Sequence, residues 1–509
     1  MMRYFKVMKR IITAALLLVM VMVSLFAAEI VIRDVEVSPS AILSDEEIDA
    51  IVSECLGKYT GIDILIGIVD RINTLYRAKG FPNAMAFIPE QTVQDGTAVV
   101  ELIEGRLGAL TVSGNRLVRE SYILNSLNLD KGKVLSLTEL EEKLLAFNRW
   151  NSGIRLSSTL NPGKDESGTT DVEINVSESF PVTAYATIDN FASEATGSFR
   201  GGLHLVVNDV SGNGDSLLAG GYLNWFSRSA YLDYSIPVFD AENMQQIRFG
   251  FRGSFGGSEV SNGSASEFGI RSTTFNASLY MSMLLARTQY RNTTLAFSGI
   301  VASTTTAALD TLLTKETVVS GRMGIASSEI ISDRFTLSYG AGITVGTPYK
   351  GARDLDEIYL KLDASLQARL NLFSAMYMLF NASGQTMPLN NFIPNQEQMY
   401  VGGGNTVRGY SEGCAWGKDV YTASLELHCL LPFSHKSTIF GFVDHAGVFP
   451  YTGDGEHFLL GVGGGLDIYI GERIHIKASV ATALTAISQN NNPDGFRYTI
   501  AATLTAPGF

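Results

Sequence analysis

The sequence predicts an all-β transmembrane barrel of sixteen antiparallel strands over residues 180–509, preceded by two small α/β modules at residues 29–106 and 107–178. Three observations carry this. From Phe180 onward apolar and polar residues alternate with a period of two, the pattern of a sheet with one apolar and one polar face. The alternating stretches reach nine to thirteen residues, long enough for tilted strands to cross a bilayer. Beyond residue 28 no apolar run reaches the ~18 residues a spanning helix needs, so strands must carry the mature chain into a membrane if it enters one.

The N-terminus sets the compartment. Arg3, Lys6, Lys9 and Arg10 precede an apolar run at residues 11–23, and Ser24-Leu25-Phe26-Ala27-Ala28 follows; this is the charged, apolar, small-residue order of a secretory signal. Residues 1–28 are expected to be removed on export, although Phe26 stands where the usual pattern has a small residue. Fifty glycines, twenty-seven phenylalanines and twenty tyrosines beside only 17% charged residues describe a β-rich body and exclude a disordered chain. A formal net charge of −13 argues against a nucleic-acid partner. Cys55, Cys414 and Cys429 lack metal-ligand spacing, and their odd number excludes a fully paired framework. Cys414 and Cys429 either join in an oxidising compartment or simply pack.

Residues 29–178 repeat one order of elements. In the first unit a strand is expected at residues 30–37, and Ser44-Asp45-Glu46-Glu47 has the spacing of a capping box. Ile62, Leu65, Ile66, Val69, Ile72 and Tyr76 then make a helical stripe that Gly80 and Pro82 end. Strands at residues 83–89 and 97–104 follow, divided by a turn at Gln94-Asp95-Gly96. The second unit has a strand at 107–113, a helix near 118–127, a second helix opened by Thr138 and Glu141, and strands at 154–160 and 170–177. Leu137, Leu140, Leu144 and Phe147 form the buried side of that helix.

In the barrel segment Ile247, Phe249, Phe251 and Phe255 interleave with Arg248, Gly250, Arg252 and Ser254. Lys361, Arg369 and Glu426 all fall on the polar parity, which directs them to a lumen rather than to lipid. Eleven strands are expected before residue 385 and five after 419, an even total such as a bacterial closed barrel requires.

Between the two groups lies a loop, residues 385–419, whose core is Val401-Gly402-Gly403-Gly404-Asn405-Thr406-Val407-Arg408-Gly409-Tyr410. Gly402, Gly403 and Gly404 let backbone approach backbone closely. Arg408, if buried, needs a carboxylate, and Asp444 offers one thirty-six residues on, in Phe442-Val443-Asp444-His445-Ala446-Gly447. The Val407-Arg408-Gly409-Tyr410 loop with that strand resembles the outer-membrane secretion and assembly superfamily and, within it, the two-partner-secretion transporters of the haemolysin and filamentous-haemagglutinin type. The tandem modules resemble the polypeptide-transport-associated (POTRA) domains of that superfamily; the first, with Phe81-Pro82 and Ile103-Glu104-Gly105-Arg106-Leu107, is similar to the haemolysin-transporter variety.

The resemblance implies an outer-membrane protein with periplasmic modules that takes up an unfolded, secreted partner protein and passes it through the barrel. Val407, Arg408, Gly409 and Tyr410 would lock the loop to the wall at Phe442, Asp444 and Gly447. The client would add as a strand to a module edge, expected at Asn83, Met85 and Phe87 or at Ile154 and Leu156. Phe509 resembles the terminal aromatic that barrels present to their insertion machinery, though Pro507 departs from a clean last strand. Transporters of this kind often carry an N-terminal plug helix, for which residues 29–37, read as the first strand of the first module, leave no room; a conducting lumen is expected. A barrel-assembly factor of the same superfamily is the alternative. No phosphate loop, His-Glu-x-x-His or Gly-x-Ser-x-Gly motif occurs, so neither catalysis nor a cofactor or metal is expected.

Overall fold

The structure, a computed structural model, describes residues 31–506 apart from 94, 152, 165–168, 241–244, 289, 350–357, 390–392, 435, 450–456 and 487–494. The signal segment, Pro507 and Phe509 lie outside the described residues. The chain forms two compact units: one holds most of both modules, the other the barrel together with residues 115–126 and 150–154.

The first module runs β1 (Asp34–Val37), α1 (Asp45–Lys58), α2 (Ile62–Ala78), β2 (Met85–Phe87) and β3 (Thr97–Ile103). Its sheet has the order β1-β3-β2, with β1 parallel and β2 antiparallel to β3. Ser44 and Glu47 close a capping box: Ser44 Oγ accepts the Glu47 N–H at 3.3 Å and the Glu47 carboxylate accepts the Ser44 N–H at 3.0 Å. The buried face of α2 is Ile64, Leu65, Ile68, Ile72 and Tyr76, packed on Val35, Ala86, Ala98 and Val100. Ile62 and Ile66, expected inside, are 54% and 46% exposed, because the strict i, i+4 series 64, 68, 72, 76 fixes the buried face one position round. The strand expected at 83–89 shrinks to three residues. Asn83 stands before it in a turn closed by the Ala84 N–H donating to the Phe81 carbonyl at 3.1 Å, so it is not on the edge.

The second module repeats the plan: β4 (Arg106–Ser113), α3 (Glu120–Leu127), α4 (Leu137–Trp150), β5 (Ile154–Pro162) and β6 (Thr169–Glu178), sheet order β4-β6-β5. α4 starts two residues earlier than expected, since Ser136 Oγ, in place of Thr138, caps it by accepting the Glu139 N–H at 3.2 Å. At the start of the barrel unit the Glu178 carboxylate accepts the N–H groups of Arg116, Leu117 and Val118, each at about 3.0 Å. Partial burial alone would raise its pKa, but the three backbone donors together hold it below the ordinary value. Its stabilising effect is therefore complete above the unfolded pKa near 4.3 and lost as pH falls through the folded one. Glu178→Gln is expected to cost ~1–2 kcal/mol locally, read as faster amide exchange at residues 116–118 at pH 7; equal exchange in both proteins would refute the role.

The remaining described residues close into a barrel of sixteen antiparallel strands. Eleven come first: β7 (Val182–Asp189), β8 (Arg200–Asn208), β9 (Ser216–Leu223), β10 (Ser227–Asp240), β11 (Gln245–Glu259), β12 (Arg271–Arg287), β13 (Arg291–Ala308), β14 (Thr311–Ser332), β15 (Phe335–Pro348), β16 (Tyr359–Phe373) and β17 (Met376–Thr386). A two-stranded hairpin that the pattern did not reveal, β18 (Met399–Val401) with β19 (Ala415–Gly417), stands within the loop. Five more wall strands follow: β20 (Asp419–Leu430), β21 (Thr438–Phe449), β22 (His457–Ile470), β23 (Ile474–Ala483) and β24 (Phe496–Ala506). The ring shuts where β24 pairs β7, Ala501 opposite Asp189 through Ala506 opposite Ala184. Leu203, Phe249, Leu279, Ile343 and Leu466 are exposed on the outer face, an apolar belt of the kind lipid covers. β14, at twenty-two residues, exceeds the expected strand length.

Candidate functional site

The strand pairing brings three walls together under one loop. Ser424 on β20 lies opposite Asp444 on β21, which lies opposite Gly461 on β22. With a period of two, Phe440, Phe442 and Asp444 face the lumen while Val443 faces out, 46% exposed. Facing the lumen from β22 are Gly461, Gly463 and Gly465, directly opposite Asp444, Phe442 and Phe440. This glycine trough makes room for the rings and for the loop: a Cβ on Gly463 would sit 2.6 Å from the Phe442 ring, and one on Gly461 would sit 2.0 Å from the Arg408 carbonyl oxygen.

Arg408 fills that space. Its Nε donates to Asp444 Oδ2 at 2.7 Å and its Nη2 to Asp444 Oδ1 at 2.8 Å, while its own backbone N–H donates to Oδ2 at 3.0 Å. Nη2 also reaches Ser424 Oγ at 3.2 Å, and Ser424 donates to Asp444 Oδ1 at 2.7 Å. Nη1 pairs with Glu426 Oε1 at 2.6 Å, and the guanidinium lies 3.4 Å from the centre of the Phe442 ring, a cation–π contact. Arg408 is 6% exposed and Asp444 0%. Such burial is tolerable because every charge is met: Glu426 Oε2 takes Lys477 at 3.3 Å and His428 Nε2 at 2.9 Å. Two cations (Arg408, Lys477) face two anions (Asp444, Glu426), so their formal charges balance.

The rest of the motif seats the loop. Val407 is fully buried with Val401, Tyr410 and Ala415 of the loop against Val420, Ala446, Val448 and Leu459 of the wall. Tyr410 Oη donates to the Thr485 carbonyl at 2.7 Å and accepts the Leu460 N–H at 3.1 Å. Tyr410→Phe strips these bonds from a buried contact and is expected to loosen the loop by ~1–2 kcal/mol, seen as quicker protease cleavage within residues 401–417; unchanged cleavage would rule the hydroxyl out. Gly409, with φ +98°, lies against the Thr482 backbone, while Gly402 (φ +102°) and Gly403 (φ +97°) form the tight turn and Gly404 packs on the Phe191 ring.

Other expected residues fall elsewhere. Gly447 faces outward, opposite Tyr421, under whose ring a Cβ would clash at 2.4 Å, so it belongs to the lipid face and not to the loop anchor. Met85 is 49% exposed on β2, but Ile154 and Leu156 are buried, 4% each. Cys414 and Cys429 are free thiols. Glu426 was legible only as a lumen charge; that it sits two residues beyond Ser424 on the same face of β20 gave its contact with Arg408, but only once the strand register was known.

The other end of the loop is fastened to strands of the first group. Glu397 pairs with Lys361 and accepts the Tyr359 hydroxyl at 2.9 Å, both from β16, and Gln396 Oε1 accepts the Thr304 hydroxyl of β13 at 3.1 Å. Between the two fastenings a cavity of about 600 Å³ is lined by polar wall groups, among them Asn292, Ser328, Gln367 and Asn381, together with Asn405 and Thr406 of the loop.

A lipid-belted sixteen-stranded barrel, an inward loop anchored by a buried arginine, and a leading module of POTRA order define a class of outer-membrane barrel proteins with periplasmic modules. The family described as haemolysin secretion/activation protein ShlB/FhaC/HecB matches residues 168–468, and the ShlB-type POTRA domain matches residues 30–105. The chain belongs to that family. It is 25% identical over 199 residues to the heme/hemopexin transporter protein HuxB of Haemophilus influenzae, covering 37% of this chain and 34% of that protein; it thus spans about a third of the length of that curated relative. The structure of CdiB from Escherichia coli superposes with a TM-score of 0.64 at 20% identity, covering 94% of this chain and 91% of that one. BamA from Haemophilus ducreyi, lacking its first three POTRA domains, superposes at 0.60 and 15% identity over 94% and 99%, a likeness of fold alone.

Proposed function

We propose that this chain exports an unfolded partner protein across the outer membrane: its modules gather the extended client in the periplasm, and its lumen passes the client to the cell surface. The observation that supports this reading most is the loop anchored at both ends across a polar lumen, in a chain of the haemolysin secretion family. A polar wall lets peptide groups remain hydrated or paired in transit, and a charge-neutral anchor keeps the loop from collapsing into the passage. The work is positional rather than chemical. No residue is assigned a catalytic role, and neither cofactor nor metal is required; the partners are the client, outer-membrane lipid and, during biogenesis, the barrel-insertion machinery.

Deleting the gene separates this from assembly of other barrels. Loss of one large secreted protein with an otherwise normal outer-membrane profile is the expected result. Depletion of many barrel proteins would instead make the chain an assembly factor, and altered solute uptake alone would make it a diffusion pore.

A further inference from the structure

The free edges of the two module sheets are not equally free. In the first module the Ala86 N–H donates to Asn73 Oδ1 at 2.7 Å, and Asn73 Nδ2 donates back to the Ala86 carbonyl at 3.3 Å. In the second the Leu156 N–H donates to Asn148 Oδ1 at 2.6 Å, and Asn148 Nδ2 donates to the Leu156 carbonyl at 2.8 Å. Each asparagine stands on the second helix of its module, and each engages one residue of the edge strand, β2 or β5. A carboxamide is a chemical copy of a peptide group, so each side chain occupies the place that the peptide of an incoming strand would take.

The modules differ in what is left over. β2 has three residues, with Ala86 at its centre. Beyond it Gln91 continues the mimicry on β3, accepting the Val99 N–H and donating to the Val99 carbonyl, both at 2.7 Å. β5 has nine residues, and Asn148 takes only Leu156. Two and four residues on, Ser158 and Leu160 turn their peptide groups to the same side as Leu156. Ser157, Thr159, Leu160 and Asn161 are exposed and none carries charge, so this strip presents main chain without selecting for sequence.

We propose that Asn73 and Asn148 are edge plugs, and that an extended segment of the exported chain adds to the module sheets only along residues 158–162 of β5, extending past Leu156 only by displacing Asn148. This rests on the export reading above and assigns its docking strand. It also explains how a long-lived periplasmic sheet limits indiscriminate pairing: the β2 edge is closed by side chains, and along β5 one short strip stays open among the described residues.

The test uses the full chain in detergent and a synthetic peptide of alternating threonine and valine with terminal lysines, a sequence-neutral β-former. A photo-crosslinking residue at Thr159 is expected to capture the peptide, and one at Met85 is not. Asn148→Ala, which frees the Leu156 peptide, should tighten binding roughly tenfold. Ser158→Pro should weaken it by at least about tenfold, whereas Ala86→Pro leaves it unchanged. Capture from Met85 as strong as from Thr159 would overturn the plug assignment while leaving strand addition standing. Capture from neither position would overturn strand addition itself. The crosslinking arm needs no proline, so it decides the matter even where a proline variant fails to fold.

Discussion

Arg408→Ala is expected to abolish export while the barrel still inserts. The side chain is the common partner of Asp444, Glu426 and Ser424, and its removal leaves the buried Asp444 carboxylate without a cation and Glu426 with only Lys477 and His428. Breaking a buried ion pair by deleting one partner typically costs ~3–5 kcal/mol, more than the Tyr410 hydrogen bonds can restore. The loop should leave its trough, its backbone should become cleavable by added protease, and the barrel should keep its heat-modifiable migration. Arg408→Lys should fall between, since an ammonium retains the charge but cannot span both Asp444 oxygens and reach Glu426. Export at the parent level from the alanine variant would remove the anchor from the functional account.

The second large effect is expected from a residue with no polar side chain. Gly461→Ala places a methyl 2.0 Å from the Arg408 carbonyl oxygen, a backbone atom that moves only if the whole loop moves. Overpacking of this kind costs ~1–3 kcal/mol where neighbours can yield, and here the neighbour is held by Asp444. The variant should therefore behave as Arg408→Ala does, with every charge still present. Gly441→Ala is the control: it lies on the outward face of β21, and its nearest neighbour is 3.9 Å away. A Gly461→Ala protein that exports and resists protease like the parent would show that the trough is not tightly filled.

Much of this was legible in the chain because a barrel wall is a local pattern. Alternation fixes which residues face lipid, and strand spacing fixes how many strands there are, so the sixteen strands and the lumen parity of Lys361, Arg369 and Glu426 follow from sequence alone. Arg408 and Asp444 stood out because a lone cation in a glycine turn calls for a counter-charge. What stayed hidden depends on register, which alternation leaves open to a shift of two residues. Glu426 as second partner, the pairing of Gly461, Gly463 and Gly465 with Asp444, Phe442 and Phe440, and the outward turn of Gly447 all follow only when β20, β21 and β22 are aligned. The module edges were legible as the strands at 85–87 and 154–162, but their partial closure was not: Asn73 and Asn148 look like ordinary helix-surface residues, and nothing in helical periodicity shows that their amides reach a strand.

The central claim is passage of a client through the lumen beside the anchored loop. It is tested most directly by photo-crosslinking in cells that are secreting, with the crosslinker at lumen-facing Ser328 or Gln367 and, in parallel, at lipid-facing Leu279. The account predicts adducts between this chain and one secreted protein from Ser328 and Gln367 and none from Leu279. Adducts from Leu279 alone, or with many nascent barrel proteins and no secreted one, would contradict it.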